Sequence, residues 1–107
     1  MKTHNKLVRD RIPEIIENGG NVANTRILSQ EELLLHLEQK LDEEVGEYHR
    51  DKNLEELADI LEVVYALAER ISSRDDLMDI YRKKHMIRGG FQQGIYLIST
   101  EEGKEND

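Results

Sequence analysis

The sequence predicts an all-α domain, on three observations. Two long segments, Glu31 to Arg50 and Leu54 to Ile71, carry apolar residues at the spacing of a helix. Each follows a capping residue, Ser29 or Asn53, with a glutamate three positions further on. The β-prone runs, Val22 to Leu28 and Ile95 to Ser99, are short, and by pairing with each other they would supply only a minor β element.

Met1 to Asn5 is a polar lead-in, after which Lys6, Arg9 and Arg11 crowd three positive charges ahead of a short helix, Ile12 to Asn18. Pro13 suits the first turn of that helix, where its missing N–H costs nothing. Gly19 and Gly20 end it. Ser29-Gln30-Glu31-Glu32 is a capping box that starts the first long helix. On that helix Leu33, Leu34, Leu37, Leu41, Val45 and Tyr48 form one stripe, and Asp51-Lys52-Asn53 is the turn that follows. The second long helix has almost no polar face, because Leu54, Leu57, Ile60, Leu61, Val63, Val64, Ala66, Leu67 and Ile71 surround it. Such a helix is expected to be buried. Ser72 and Ser73 break it, and Ser73 with Asp76 caps a last helix that carries Leu77, Ile80 and Tyr81 and ends in Arg82-Lys83-Lys84 and Arg88. Gly89, Gly90 and Gly94 mark a turn, and 99–107 is an acidic tail expected to fray.

Inside this apolar pattern lie Glu43, Glu44, Glu47, Glu56 and Asp59. Helical spacing puts Glu44 in the middle of the first stripe, Glu47 and Lys40 at its edge, and Glu43 further round toward solvent. Glu56 and Asp59, three apart, flank Val63 on the second helix. An unpaired buried carboxylate costs several kcal/mol, and Lys40 can offset roughly one charge, against a few tenths of a kcal/mol for an ordinary helix-surface pair. A hard divalent cation is the economical neutraliser, since Mg²⁺ takes carboxylate oxygens and keeps waters for exchange with phosphates. The plainer readings are a solvated acidic face for Glu43, Glu44 and Glu47 and a capping role for Glu56, which stands three residues after Asn53.

These residues carry a resemblance. Glu43-Glu44-Val45-Gly46-Glu47 followed by Glu56-Leu57-Ala58-Asp59 is similar to the EExxE and ExxD pair of the all-α nucleoside triphosphate pyrophosphohydrolases. Within them it is most similar to the MazG-like group, also named phosphoribosyl-ATP pyrophosphohydrolase-like. Lys6-Leu7-Val8-Arg9-Asp10-Arg11-Ile12-Pro13 and Arg88-Gly89-Gly90-Phe91 extend the likeness over about residues 5–98.

The resemblance implies a homo-oligomer, a homodimer or a dimer of dimers, with a four-helix metal-binding core. It implies Mg²⁺- or Mn²⁺-dependent hydrolysis of a nucleoside triphosphate to the monophosphate and pyrophosphate, as house-cleaning of non-canonical nucleotides or on phosphoribosyl-ATP. Glu44, Glu47, Glu56 and Asp59 would be the metal ligands, and Glu43 either a group behind those ligands or the base that accepts the proton of the attacking water. Lys6, Arg9, Lys83 and Arg88 would meet the substrate phosphates. For the basic residues the plainer readings are surface charge balance near the start of the chain and compensation of a helix dipole at Lys83 and Arg88. The competing class is a non-catalytic helical oligomer with a structural metal. Gly46 costs about 1 kcal/mol inside the metal-binding helix, a cost that a close helix contact there would explain.

Bulk properties narrow the field. A chain of 107 residues is one domain with a modest core. A net charge of −8 argues against nonspecific nucleic-acid binding, which needs a basic footprint. Without cysteine there is no disulfide framework and no thiolate chemistry. The polar first residues and the lack of a run near the roughly 20 apolar residues of a membrane span make a cytoplasmic protein without membrane contact the expectation. His4, His36, His49 and His85 form no HxxxH pair, no Glu-x-x-His lies on the acidic helices, and no P-loop occurs. Tyr48 and Tyr65 are read as core rather than as base-stacking platforms.

Overall fold

A computed structural model describes residues 1–103 as four helices in chain order, α1 (Ile12–Asn18), α2 (Gln30–Asp51), α3 (Leu54–Ile71) and α4 (Arg74–Arg88). The all-α class is as the sequence predicts. The caps explain the boundaries. Ser29 Oγ accepts from the Glu32 N–H at 3.2 Å while Glu32 Oε1 accepts from the Ser29 N–H at 3.1 Å, so the capping box of α2 is complete. Arg26 grips the same glutamate at 2.8 Å. That bond, with the Ser29 N–H behind it, holds the Glu32 carboxyl down at about 2. Asn53 and Ser73 cap α3 and α4 by accepting from the N–H groups of Glu56 and Asp76. Lys52, with φ 50°, takes the left-handed conformation that closes α2. Gly20, with φ 90°, does the same work past α1.

α2 and α3 form an antiparallel hairpin. Arg70 near the end of α3 donates to Gln30 at the start of α2 at 2.7 Å, while the acidic residues late in α2 meet those early in α3. α4 packs on α3 over a smaller area, and Arg74 stacks over the Tyr65 ring at 3.7 Å. Leu37 on α2 and Val63 on α3 are the buried apolar residues of the hairpin. Tyr48 and Tyr65 are half-buried.

Three expectations need correction. The minor β element does not form: 22–28 and 95–99 have no strand, and among the described residues there is none anywhere. An isolated pair of short strands is marginal without a covering layer, and Val22, Ile27 and Ile95 to Ile98 are exposed. α3 is not buried all round. Leu54 is 81% and Ile71 78% exposed, because α2 covers one side and α4 only part of another. Among the described residues no helix of the same chain comes close to Gly46 either, since a Cβ built there would meet nothing within 4 Å.

The molecule is extended, with a radius of gyration of 20.4 Å and dimensions of 78 × 31 × 19 Å. A compact chain of this size has a radius of about 13 Å. Of the tail, 99–103 is exposed and irregular, and 104–107 lies outside the described residues. Among the described residues no helix is long and apolar enough to cross a membrane.

Candidate metal centre

The hairpin register brings the acidic residues of α2 and α3 together. On α2, Glu44 and Glu47 are nearly one turn apart and Glu43 precedes them. On α3, Glu56 and Asp59 occupy the first turns, just past the connecting bend. Carboxylate oxygens of Glu43, Glu44 and Glu47 lie within 4.8 Å of one another, and so do those of Glu44, Glu56 and Asp59. Glu44 belongs to both groups and is the hinge of the arrangement. All four residues expected as metal ligands, Glu44, Glu47, Glu56 and Asp59, are therefore neighbours, with Glu43 at their solvent side.

Glu44 is only 7% exposed, and its Oε2 has no hydrogen-bond partner. Oε1 lies 3.5 Å from Lys40 Nζ, which is also 3.5 Å from Glu43 Oε1, so one ammonium serves two acids. Burial, and then the Glu47 carboxylate, push the Glu44 carboxyl above the usual range; Lys40 pulls it back, and Asp59 adds to the rise. Glu56 behaves alike. Its Oε2 is buried without a partner, and burial first, then Glu47, Asp51 and Asp59, raise its carboxyl.

The capping alternative for Glu56 does not hold, since its backbone N–H bonds to Asn53 Oδ1 while its side chain is not returned to the cap. The solvated-face reading does not describe Glu44, though it does describe Glu43. Two orphaned carboxylate oxygens among four converging acids form a centre that a cation or a proton satisfies. An all-oxygen anionic donor set suits a hard divalent ion such as Mg²⁺, Mn²⁺ or Ca²⁺ rather than a soft one.

The basic residues divide into two sets. Arg9, in the irregular segment before α1, reaches α3 with Nη1 3.3 Å from Asp59 Oδ1 and Nη2 3.8 Å from Glu62 Oε2. Lys6 lines a groove of about 150 Å³ with His36, Gln39, Lys40 and Glu43, against the outer side of the centre. Lys83 is elsewhere. Lys83 lines a groove with Ile71, Ser72, Asp76 and Ile80 at the far end of α3, and twelve residues of helix between Asp59 and Ile71 span roughly 18 Å. Arg88 ends α4. Among the described residues neither forms an ion pair with the carboxylates.

Two participants went unrecognised in the sequence. Glu62 shares Arg9 with Asp59 and stands three residues after it, a spacing that continues Glu56 and Asp59 along α3. Arg50, three after Glu47, approaches it at 4.0 Å.

No protein-family model matches the sequence, and no solved structure matches it. A stretch of 42 residues, 39% of the chain, is 52% identical to an uncharacterised protein of Mycolicibacterium smegmatis (strain ATCC 700084 / mc(2)155). The match takes in 43% of that protein's length.

Proposed function

We propose that the chain is a metal-dependent nucleoside triphosphate pyrophosphohydrolase of the MazG-like kind, cutting between the α and β phosphates to release the monophosphate and pyrophosphate. One observation carries this reading: Glu44, buried and with an unpartnered carboxylate oxygen, faces Glu56 and Asp59 across the hairpin. These are the acids of the EExxE and ExxD pattern.

Glu44, Glu47, Glu56 and Asp59 would hold Mg²⁺ or Mn²⁺. The ion supplies polarisation of a phosphoryl oxygen and a lowered pKa for bound water. Glu43 is exposed at the edge of the group and 3.5 Å from Lys40, placed where it would take a proton from water at the centre. Arg9 and Lys6 flank the acids on the side of the N-terminal segment and would meet the phosphates. Non-canonical nucleotides and phosphoribosyl-ATP are the substrate classes that this reading favours, in the cytoplasm.

A homodimer or dimer of dimers goes with it. A hairpin with Leu54, Leu57, Leu61 and Ile71 exposed leaves apolar surface that a second copy would cover. Lys83, remote from the carboxylates of its own chain, and Arg88, which among the described residues forms no ion pair with them, would then reach those of a partner. That same remoteness favours the second reading, a helical oligomer whose metal is structural and which turns nothing over.

The test is a panel of canonical, damaged and phosphoribosylated nucleotides assayed with Mg²⁺ and Mn²⁺ for pyrophosphate, which must appear before any orthophosphate. Glu47→Gln keeps the size of the side chain but removes a metal-binding charge, and should abolish turnover in a folded protein. A panel without pyrophosphate release, together with a metal-dependent melting shift, selects the structural reading.

A further inference from the structure

Arg9 belongs to no helix, yet its guanidinium is divided between two carboxylates of α3. Nη1 lies 3.3 Å from Asp59 Oδ1 and Nη2 3.8 Å from Glu62 Oε2. The two acids differ in kind. Asp59 is gathered with Glu56 and with the buried Glu44, whose Oε2 has no partner, whereas Glu62 belongs to neither carboxylate group. We propose that Arg9 and a divalent cation compete for Asp59, and that Glu62 is a positioning residue: it retains the displaced guanidinium at the edge of the centre, facing the anionic ligand that the cation binds. This exchange rests on the metal centre proposed above.

The physical argument has three steps. A carboxylate that neutralises a cation in its coordination shell has little attraction left for a guanidinium, and the two positive charges repel at such range. The Arg9–Asp59 pair is a weak holder, because its side chains are 61% and 40% exposed and solvent screens them. Uptake of the cation therefore displaces Arg9 readily. Glu62 lies three residues along the helix from Asp59, roughly 4.5 Å of axial rise, so the guanidinium changes partner without leaving the site. On an irregular segment a released arginine would otherwise be dispersed over many rotamers. Held by Glu62, it keeps N–H groups free for a phosphate, which its planar fork matches in two-point contact.

Calorimetric titration of Mn²⁺ into wild type, Arg9→Gln, Glu62→Gln and the double variant provides the test, followed by titration of preformed Mn²⁺–pyrophosphate into each Mn²⁺-saturated protein. Loss of the competitor should tighten Mn²⁺ binding by Arg9→Gln about two- to five-fold, the range of an exposed ion pair. Glu62→Gln should leave Mn²⁺ affinity within about two-fold while weakening pyrophosphate binding at least about three-fold, and the double variant should bind pyrophosphate no worse than Arg9→Gln alone. Unchanged or weaker Mn²⁺ binding by Arg9→Gln overturns the competition. Additive losses of pyrophosphate affinity overturn the positioning role, because Glu62 would then act without Arg9. Wild type that binds no Mn²⁺ overturns the metal centre itself, a result distinct from either of the others.

Discussion

Replacing Glu44 with glutamine should raise stability in EDTA and lower it in metal, a reversal of sign that follows from the surroundings of this one side chain. At 7% exposure the carboxylate has lost nearly all its water, and Lys40 at 3.5 Å is the cation beside it while Glu47, Glu56 and Asp59 oppose its charge. Glutamine keeps the volume and removes the charge. Neutral replacement of a poorly compensated buried ion returns about 1 kcal/mol or more, which for a small domain is about 4–8 °C in Tm. Metal reverses the order. At 100 times its dissociation constant a ligand adds about 2.7 kcal/mol to wild type, and the variant, short of a charged donor common to both carboxylate groups, should gain little of it. Melting curves by circular dichroism, with EDTA and with millimolar Mn²⁺ at one protein concentration, read both halves. A variant less stable than wild type in EDTA would show that Lys40 fully compensates Glu44. An undiminished metal-induced shift would remove Glu44 from the centre.

Proton linkage gives a related expectation for the metal-free protein. Glu44 and Glu56 have carboxyls raised above the ordinary 4.5, so the folded state holds protons that the unfolded chain has released. Their contribution to stability is therefore lost as pH rises from near 4.5 through the raised values. Denaturant melts in EDTA should show these two sites favouring folding on acidification toward 4.5, an effect that Glu44→Gln diminishes; an equal pH slope in the variant counts against it. Ser29→Ala removes the acceptor of the Glu32 N–H and should cost about 1 kcal/mol by chemical denaturation, and no loss would mean that Arg26 alone holds Glu32. Gly46→Ala should stabilise by about 1 kcal/mol, because the new methyl meets open space; a loss would show that another helix packs against this face. Light scattering on a sizing column should give a multiple of 12.5 kDa, and a well-behaved monomer at micromolar concentration would refute the proposed oligomer.

The helices were legible because their determinants are local. Pro13, Ser29, Asn53 and Ser73 act within four residues of themselves, and α1 and α3 begin and end where the pattern puts them, with α2 one residue longer at each end. What was not legible depends on partners distant in the chain. Alternation in 22–28 records a preference for strand, but a ladder needs a second strand and a cover, and the pattern of 95–99 cannot say whether it will be nearby. The same limit applies to α3. Its all-round apolar sequence states that the helix wants to be covered and says nothing of whether its own chain does the covering.

The centre was legible for a mixed reason. Within α2, spacing alone separates Glu44 at the core from Glu43 at solvent, and the structure has the same order. Bringing Glu56 and Asp59 against Glu44 requires the hairpin register, which the short turn at Asp51–Asn53 all but dictates, since two long helices joined so tightly must pack side by side. Arg9 was legible as a charge but not as a partner of Asp59, because a contact across fifty residues has no local signature. Glu62 was masked by being one glutamate among many on a charged surface. The carboxylates thus come from the rigid hairpin, while Arg9 comes from an irregular segment and Lys83 and Arg88 from α4. Acids preassembled on rigid helices keep most of their mutual repulsion until a cation or proton joins them, while Arg9, on a separate element, offsets part of it at Asp59 and Glu62. Under the proposed function, such a site would take the cation on the hairpin and the anion through groups of other elements, the arrangement that metal-assisted attack on a phosphate anhydride needs.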